Sequence, residues 1–366
     1  MLRIAQRPLP VVGRARMYVC GITPYDTTHL GHAATFVWAD VAVRVLRQLG
    51  VDVDVCRNVT DVDDVLDVAA ARTGARPDSF AAVQQFRFDR DMALLGVRRP
   101  TQEPRAHNHI GQVVTLAAAL LALGAAYRHG GTVWFRGSEV AARVGLDAQQ
   151  AAALAAEFGP GYPAGADDPA DVPVWREARG GEPAWPSPWG EGRPGWHAEC
   201  AAMALTALGS AVDLHAGGAD LRFPHHAYEA AMAEAVTGVR PFARAWMHVG
   251  VVRVGGARMA KSSGNLVLVS DLVAKHSPAA VRLLLLDRAW ARDWDYHPAD
   301  LDAAAARLQR LYAAAARGAG ESHSVSAEAV RAALLDDLDV PTALGIAEEA
   351  GGDAARLALS VLGLLT

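Results

Sequence analysis

The sequence has little cysteine and no long apolar run. Its 366 residues include three cysteines, Cys20, Cys56 and Cys200. This odd, small number does not suit a disulfide framework, and metal binding or catalysis explains it better. No uncharged apolar stretch approaches the roughly 20 residues that a membrane-spanning helix requires. The first residues contain no apolar signal-peptide core and no small-residue cleavage site, which predicts a cytoplasmic protein without membrane contact.

Positive charge is also in short supply. The chain has 35 lysine and arginine residues against 40 aspartate and glutamate residues, a formal net charge of −5. Proteins that hold a large nucleic acid usually present a basic face, so this balance disfavours a nucleic-acid partner. The 51% of hydrophobic residues predicts a sizeable core and argues against disorder. At roughly 100–200 residues per domain, the length predicts two or three domains.

Strand and helix patterns alternate along much of the chain. Strand patterns at 16–21 and 51–59 are each followed by a helix pattern, at 33–49 and 65–72. This βαβ rhythm predicts a parallel sheet with right-handed crossovers, in which ligands bind at the carboxyl ends of the strands. The rhythm resumes after the middle of the chain and includes a strand predicted at 246–254.

The remaining segments are predicted to be helical or irregular. Residues 78–128 have mostly helical patterns, and a short strand is expected at 132–136. The segment 159–195 is rich in glycine, proline and aspartate and is predicted to be irregular. Its tryptophans favour burial, so we expect an ordered loop near a site. The last hundred or so residues are predicted to be helices, with a loop near 317–326.

Two short motifs suit phosphate binding. His29-Leu30-Gly31-His32 lies where a helix begins, and the free N–H groups of a helix N-terminus favour phosphate. The segment 258–265, Arg-Met-Ala-Lys-Ser-Ser-Gly-Asn, places Lys261 in a loop after a strand. Taken alone, each motif is better explained by a structural role. The first would be polar residues that cap a helix, and the second would be a solvated basic loop.

A third group of residues suits a metal ion. Cys20 follows the first strand and Cys200 opens a helix, while His225 and Glu229 are one helical turn apart. Two thiols, an imidazole and a carboxylate make a plausible Zn²⁺ site. A pair of buried structural cysteines is about as plausible from spacing alone.

Together and in this order, the motifs are specific. The chain resembles the class I aminoacyl-tRNA synthetase catalytic domain and, within that family, the cysteinyl group. The resemblance implies a Rossmann-like α/β catalytic domain at 1–270, with a connective insertion at about 75–195, and a helical C-terminal bundle at 271–366. The strings that carry it are MYVCGITPYDTTHLGHA, NVTDVDD, GEPAWPSPWGEGRPGWHAEC, GGADLRFPHH and RMAKSSGN.

The resemblance divides into two branches. One is cysteinyl-tRNA synthetase, and the other is the mycothiol cysteine ligase, which joins cysteine to the amine of glucosaminyl-inositol with ATP. The ligase is favoured because the first loop reads GITPYDTTHLGHAAT and because Val65 follows TDVDD where the synthetase usually has lysine. About a hundred residues follow Lys261, which we expect to be too few for an anticodon-binding domain. The expected partners are therefore small molecules rather than tRNA.

Some positions depart from the ligase pattern. Arg258 and Ala260 replace a lysine and a serine of the usual Lys-Met-Ser-Lys-Ser signature. Glu229 matches a zinc-site position of the synthetase that the ligase usually lacks. These departures leave open a paralogue with another amine acceptor, or one that keeps the fold without catalysis. The retained HLGH, Lys261 and zinc residues oppose the second alternative.

The resemblance also implies residue roles and cofactors. Zn²⁺ would be bound by Cys20, Cys200 and His225, with Glu229 as a fourth or outer ligand, and would take the substrate thiolate. ATP would lie over the HLGH turn, with Mg²⁺ on the leaving pyrophosphate. The implied catalytic residues are His29, His32 and Lys261, the ATP-binding residues are His29, Gly31, His32, Met259, Lys261 and Ser262, and the substrate-binding residues are Thr23, Thr60, Trp196 and Asp220.

Several of these positions also have structural explanations. Trp196 could simply pack in the core, and Asp220 could cap a helix or turn. Cys56 is interpreted as a core residue. Asp61, Asp63 and Asp64 could bind metal or amine, or cap the next helix. Structural or surface roles are expected for His215, His248 and His276.

Overall fold

The computed structural model describes residues 1–25, 27–157, 165–260, 263–317 and 323–365. Among these residues, no helix combines the length and apolarity that crossing a membrane requires. The strands are β1 (Arg3–Ile4), β2 (Arg7–Pro8), β3 (Arg14–Ile22), β4 (Asp52–Val59), β5 (Ala126–His129), β6 (Thr132–Phe135), β7 (Val172–Glu177), β8 (Gly192–Pro194), β9 (Val212–Gly218), β10 (Ala243–Val249), β11 (Val252–Val254), β12 (Ala257–Arg258) and β13 (Trp294–Asp295). The α-helices are α1 (Leu30–Gln48), α2 (Asp64–Arg72), α3 (Pro77–Leu94), α4 (Ile110–Ala122), α5 (Val140–Arg143), α6 (Ala148–Ala156), α7 (Trp196–Leu208), α8 (His225–Thr237), α9 (Val269–Val273), α10 (Pro278–Leu286), α11 (Pro298–Ala315), α12 (His323–Leu335), α13 (Val340–Ala350) and α14 (Gly352–Leu362).

A four-stranded parallel sheet forms the centre of the fold. Its strand order is β10-β9-β3-β4, and every pairing is parallel, which confirms the predicted α/β class. Most residues of β3 and β9 are buried, as expected where helices cover both faces of a parallel sheet. Because β3 and β9 are neighbours, their carboxyl ends bring Cys20 close to the residues that follow Gly218.

Helix α1 begins three residues earlier than its apolar pattern predicts. His29 is the N-cap residue, and its Nδ1 accepts a hydrogen bond from the Gly31 backbone N–H at 3.1 Å. A side-chain cap of this kind satisfies one of the free N–H groups of the first turn. The capping explanation of His29 is therefore correct, and the cap leaves the rest of the helix N-terminus facing the carboxyl end of the sheet.

The inserted region contains more regular structure than its composition predicts. Strands β5, β6, β7 and β8 form an antiparallel sheet. The prediction of an irregular segment at 159–195 is therefore wrong for β7 and β8, while residues 158–164 lie outside the described part of the chain. Trp175 is fully buried, and Trp185 and Trp189 pack against the same apolar cluster, so this proline-rich stretch is held by aromatic burial.

Three other boundaries also need correction. The strand predicted at 246–254 is two strands, because the chain passes from β10 to β11 at Gly250, whose N–H donates to the Trp290 carbonyl at 2.8 Å. The mostly helical segment 78–128 also includes the start of β5. The loop near 317–326 is helical from His323, where α12 begins, and residues 318–322 lie outside the described part.

The C-terminal helices α10 and α14 pack against α1, the helix that follows β3. One apolar cluster includes residues of α1, α10, α11, α13 and α14. This apolar core is continuous across the predicted domain boundary at 270/271. The division of the chain into two domains at that point stays a prediction. Arg282 is fully buried at this junction, where it donates to Asp40 Oδ2 at 2.5 Å and to the carbonyls of Leu95 at 2.9 Å and Leu362 at 2.6 Å.

Candidate active site

Two thiols and an imidazole meet at the carboxyl ends of β3 and β9. The Sγ atoms of Cys20 and Cys200 and a ring nitrogen of His225 lie within 4.8 Å of one another, and all three residues are buried. They come from the end of β3, from α7 and from the start of α8. The fold thus brings together cysteines that are far apart in the sequence.

These three residues fit a soft metal cation. The Nδ1 atom of His225 lies 2.9 Å from Nδ1 of His197, whereas its buried Nε2 has no hydrogen-bond partner among the described residues. One engaged and one available nitrogen is the usual arrangement of a metal-binding histidine. Burial, and then the neighbouring Cys20, raise the pKa of Cys200 well above its usual range, so a nearby cation is needed to hold the thiolate. A donor set of two thiols and one imidazole suits Zn²⁺ and leaves a position for a substrate.

A second group shares Cys20 with the first. Cys20, His226 and Glu229 also place one potential ligand atom each within 4.8 Å of one another. Both Glu229 oxygens lie 3.1 Å from His215 Nε2, so the carboxylate is already held by an imidazole. The fold thus brings Cys20, Cys200 and His225 together and places Glu229 beside them, with Cys20 common to both groups. Glu229 as a metal ligand stays a prediction.

Sequence reasoning missed the imidazole cluster under these residues. His215 on β9 is fully buried, and its ring centroid lies 4.5 Å from that of His226. His226 Nδ1 lies 2.9 Å from His248 Nε2 on β10. The adjacent pair His225-His226 was the available signal, whereas His215 and His248 become neighbours only through the pairing of β9 with β10. His276 lies apart from this cluster, 3.2 Å from Asp302.

We define the signature loop as residues 258–265. The HLGH turn lies beside the segment that follows this loop. The rings of His29 and His32 stack with centroids 3.8 Å apart. The Leu30 N–H donates to the Val267 carbonyl at 2.8 Å, so the chain after the loop is tied to the start of α1. A Cβ atom on Gly31 would lie 3.4 Å from Met259 Cε, which places Met259 over the turn. Lys261 and Ser262 lie outside the described residues.

The ionisation of His32 gives a stability prediction. Desolvation, and then the charge of His29, lower the pKa of His32 to about 3. In the unfolded chain this histidine binds a proton near pH 6.5, whereas in the folded chain it stays neutral until the pH approaches 3. The free energy of unfolding therefore has its full value above pH 6.5 and decreases as the pH falls from 6.5 toward 3. We expect His32→Asn to flatten the decline in the free energy of unfolding by about 1 kcal/mol per pH unit between pH 6 and pH 4. Urea unfolding at several pH values tests this, and parallel profiles for the two proteins would contradict it.

The four substrate-binding candidates take part in three different contacts. The Trp196 ring stacks on His225, with centroids 3.9 Å apart and planes inclined by 22°. Thr23 and Thr60 share a hydrogen bond between their Oγ1 atoms at 2.8 Å. Asp220 Oδ2 accepts a hydrogen bond from Arg258 at 2.5 Å. Trp196 thus lies against the thiol–imidazole group, while Asp220 is bound to Arg258 of the signature loop.

The remaining candidates have structural contacts. Asp63 caps α2, since its Oδ1 accepts from the Val65 N–H at 2.8 Å. Asp61 accepts from the His107 backbone N–H, and Asp64 pairs with Arg176. Cys56 is fully buried in β4 and belongs to an apolar cluster, as expected of a core residue.

Comparison with known proteins agrees with this architecture. Residues 9–306 match the model of the tRNA synthetases class I (C) catalytic domain, and the chain therefore belongs to that family. A solved structure of methionyl-tRNA synthetase from Mycobacterium tuberculosis, bound to methionyl-adenylate, superposes with a TM-score of 0.69 at 17% identity. That likeness covers 95% of this chain and 84% of the other, and it shows the fold.

Curated relatives show which members of this family the chain is similar to. An L-cysteine:1D-myo-inositol 2-amino-2-deoxy-alpha-D-glucopyranoside ligase from Acidothermus cellulolyticus is 45% identical over 94% of this chain and 87% of its own length. The ligase of the same name from Mycobacterium marinum is 44% identical over 95% of this chain and 87% of its own length. Within the class I family, the chain thus groups with these ligases.

Proposed function

We propose that the chain activates L-cysteine with ATP and transfers the cysteinyl group to the amine of glucosaminyl-inositol, a step of mycothiol biosynthesis. The observation that carries the proposal is the buried group of Cys20, Cys200 and His225 at the carboxyl end of the sheet that also bears the HLGH turn. A thiol-binding site and a phosphate-binding helix start on one edge suit a reaction between cysteine and ATP. The identity with the named ligases supports the choice of acceptor.

Recognition of cysteine is assigned to the thiol–imidazole group. Bound there by Cys20, Cys200 and His225, Zn²⁺ would take the substrate sulfur as a thiolate and reject the weakly binding serine hydroxyl. A pocket that relied on shape alone would separate such near-isosteres poorly. His197 fixes the His225 ring through the 2.9 Å contact between their Nδ1 atoms, and Trp196 covers its face. These contacts orient the imidazole before the substrate arrives.

Activation is assigned to the HLGH turn. A carboxylate oxygen of cysteine attacks the α-phosphorus of ATP, the bond from that phosphorus to the bridging oxygen breaks, and pyrophosphate leaves. A bound Mg²⁺ would offset the charge of this leaving group. Such chemistry depends mostly on positioning and charge stabilisation. The start of α1 and the imidazoles of His29 and His32 would donate to the phosphates, and Lys261 would neutralise the developing charge. The acceptor amine then attacks the cysteinyl carbonyl, AMP leaves, and the amine loses a proton as the amide forms.

The proposed substrates also give a location. ATP and free cysteine are both supplied in the cytoplasm, and we therefore place the reaction there. Small molecules account for all the proposed chemistry, and no step needs tRNA.

Exchange of labelled pyrophosphate into ATP tests the activation step. With zinc and Mg²⁺ present, we expect exchange that depends on cysteine, with serine supporting a rate lower by a factor of about 10⁴, as a site built for one donor atom allows. Serine measures the contribution of the sulfur because it differs in that atom alone. Absence of cysteine-dependent exchange, or equal exchange with both amino acids, would contradict the proposal.

A further inference from the structure

An extended segment continues the central sheet beyond β4. Residues 102–105 run parallel to this strand, and the Val59 N–H donates to the Pro104 carbonyl at 2.8 Å. The segment ends at the carboxyl edge of the sheet, where the chain enters a short 3₁₀ helix at Ala106–Asn108. His107 therefore lies on the same edge as the thiol–imidazole group and the HLGH turn, the edge at which parallel sheets bind ligands.

Asp61 holds His107 through two atoms. It follows β4 at the same edge, and its side chain is only 4% exposed. Its Oδ1 accepts from the backbone N–H of His107 at 3.1 Å, and its Oδ2 lies 2.5 Å from Nδ1 of the same residue. Arg105 also donates to Oδ2 at 3.4 Å, so the carboxylate is held from a second residue as well. The imidazole is thus oriented by the fold itself.

The contact with the carboxylate sets the tautomer of the His107 ring. An ionised carboxylate only accepts hydrogen bonds, so in the neutral imidazole the proton lies on Nδ1 and the lone pair on Nε2. This Nε2 makes no hydrogen bond within the described chain, and the side chain is 45% exposed. A histidine held by a carboxylate, with its second nitrogen open, is the arrangement of a general base. We call Asp61 and His107 the dyad.

The dyad lies beside the proposed substrate-binding residues. Thr60 immediately precedes Asp61, and its N–H donates to the Ile22 carbonyl at 2.9 Å at the end of β3. Neighbouring strands are about 4.8 Å apart, so the segment that ends at His107 is roughly 10 Å from β3. The ring spans part of this distance because its Nδ1 contacts Asp61. An amine that approaches a carbonyl held above β3 and β4 from the outer edge of the sheet would meet Nε2.

A buried carboxyl close to the dyad lacks a partner. Glu199 lies in the first turn of α7 and is fully buried, and neither of its carboxyl oxygens has a hydrogen-bond partner within the described chain. Burial, and then the charges of Cys200, Asp63 and Asp61, raise the pKa of Glu199 well above its usual range, so Asp61 is near enough to act on it. Unpaired buried oxygens are costly, and they point to a ligand with hydroxyl or amino donors at this edge.

We propose that His107 is the general base of the transfer step and that Asp61 is its positioning residue. The lone pair of the acceptor amine attacks the cysteinyl carbonyl carbon, the bond from that carbon to the phosphate oxygen breaks, and AMP leaves with the bonding electrons. The proton that the amine loses passes to Nε2 of His107 and then to water. The inference rests on the proposed ligase reaction and assigns the proton transfer of its second half to a residue.

The variant His107→Gln separates the two halves of the reaction. Pyrophosphate exchange needs cysteine and ATP but no acceptor, so we expect it to keep its wild-type rate. The kcat for amide formation with glucosaminyl-inositol should fall about 100-fold, within the range that a general base contributes, while the KM for the aminosugar stays close to wild type. Hydroxylamine is largely unprotonated at neutral pH and needs no base, so its capture of the cysteinyl group as a hydroxamate should be unchanged.

His129→Gln is the matched control, and His107→Ala provides a rescue experiment. His129 is an exposed histidine at the end of β5, and it pairs with no carboxylate among the described residues. Its replacement should leave exchange, amide formation and hydroxamate formation unchanged. Free imidazole should restore part of the amide-forming rate of His107→Ala, because it can accept the proton in place of the side chain.

Three outcomes would overturn the inference. They are an unchanged kcat for amide formation in His107→Gln, a parallel loss of exchange or of hydroxamate formation in that variant, and no rescue of His107→Ala by imidazole. A wild-type protein without cysteine-dependent exchange would instead overturn the proposed function.

Discussion

Replacement of Cys200 with alanine is expected to remove bound zinc and to lower cysteine-dependent pyrophosphate exchange by a factor of at least about 100. The Cys200 thiol is fully buried, and its Sγ accepts a hydrogen bond from Asn58 Nδ2 at 3.3 Å. Without this sulfur, Cys20 and His225 would hold a metal ion through two protein ligands, fewer than catalytic zinc sites use. Zinc content per chain by mass spectrometry and the exchange rate are the two measurements.

Cys56→Ala is the matched control for this change. Cys56 is as buried as Cys200 and shares its apolar cluster, but among the described residues it is not in a group of potential metal ligands, so its replacement removes a thiol of the same burial without removing a proposed ligand. We expect zinc content and exchange to stay close to wild type in this variant. Full zinc content in Cys200→Ala, or exchange that survives the loss of zinc, would show that the thiol group does not form the proposed site.

Arg282→Ala should lower the free energy of unfolding by about 3–5 kcal/mol, the cost of breaking a buried ion pair. The guanidinium is fully buried between α1, the end of α3 and the C-terminal helices. Its loss leaves the carbonyls of Leu95 and Leu362 without this donor, and Asp40 keeps Arg44 as an ion-pair partner. Urea denaturation at neutral pH measures the difference.

An exposed arginine of the same helical region provides the comparison. Arg310 pairs with Glu348 at 3.2 Å, but its side chain is 62% exposed. Arg310→Ala should change the free energy of unfolding by less than about 1 kcal/mol. A loss of similar size in the two variants would show that the buried contacts of Arg282 do not secure the C-terminal helices to α1.

The sequence predicts the central sheet well because local signals agree there. The apolar patterns of β3 and β4 and the position of the HLGH turn are sufficient to place α1 at the carboxyl end of a parallel strand. The boundaries fail where tertiary contacts decide. Strand β7 contains Pro173 in a segment rich in turn-forming residues, and burial of Trp175 holds it in the sheet.

The candidate site is predictable only in part for a similar reason. Cys200 and His225 were recognised through family motifs, since spacing alone left structural cysteines about as plausible. His215 and His248 lie on separate strands, and only the pairing of β9 with β10 makes them neighbours. The contact between Glu157 and Arg258 joins the insertion to the signature loop, and no local pattern reports such a contact.

Composition gives one additional clue to the signature loop. Lysine occurs only at positions 261 and 275, and arginine supplies every other cation of the chain. Lys261 is thus one of two positions with a compact ammonium in place of a guanidinium, whereas Arg258 follows the general preference for arginine.

The identity of the acceptor is the most direct test of the proposed ligase. The protein would be incubated with cysteine, ATP, Mg²⁺ and zinc, and offered glucosaminyl-inositol or tRNA, with product formation followed by mass spectrometry. The proposed reaction predicts a cysteinyl amide of the aminosugar, with one AMP released for each amide and no cysteine on tRNA. Transfer of cysteine to tRNA with none to the aminosugar would contradict it.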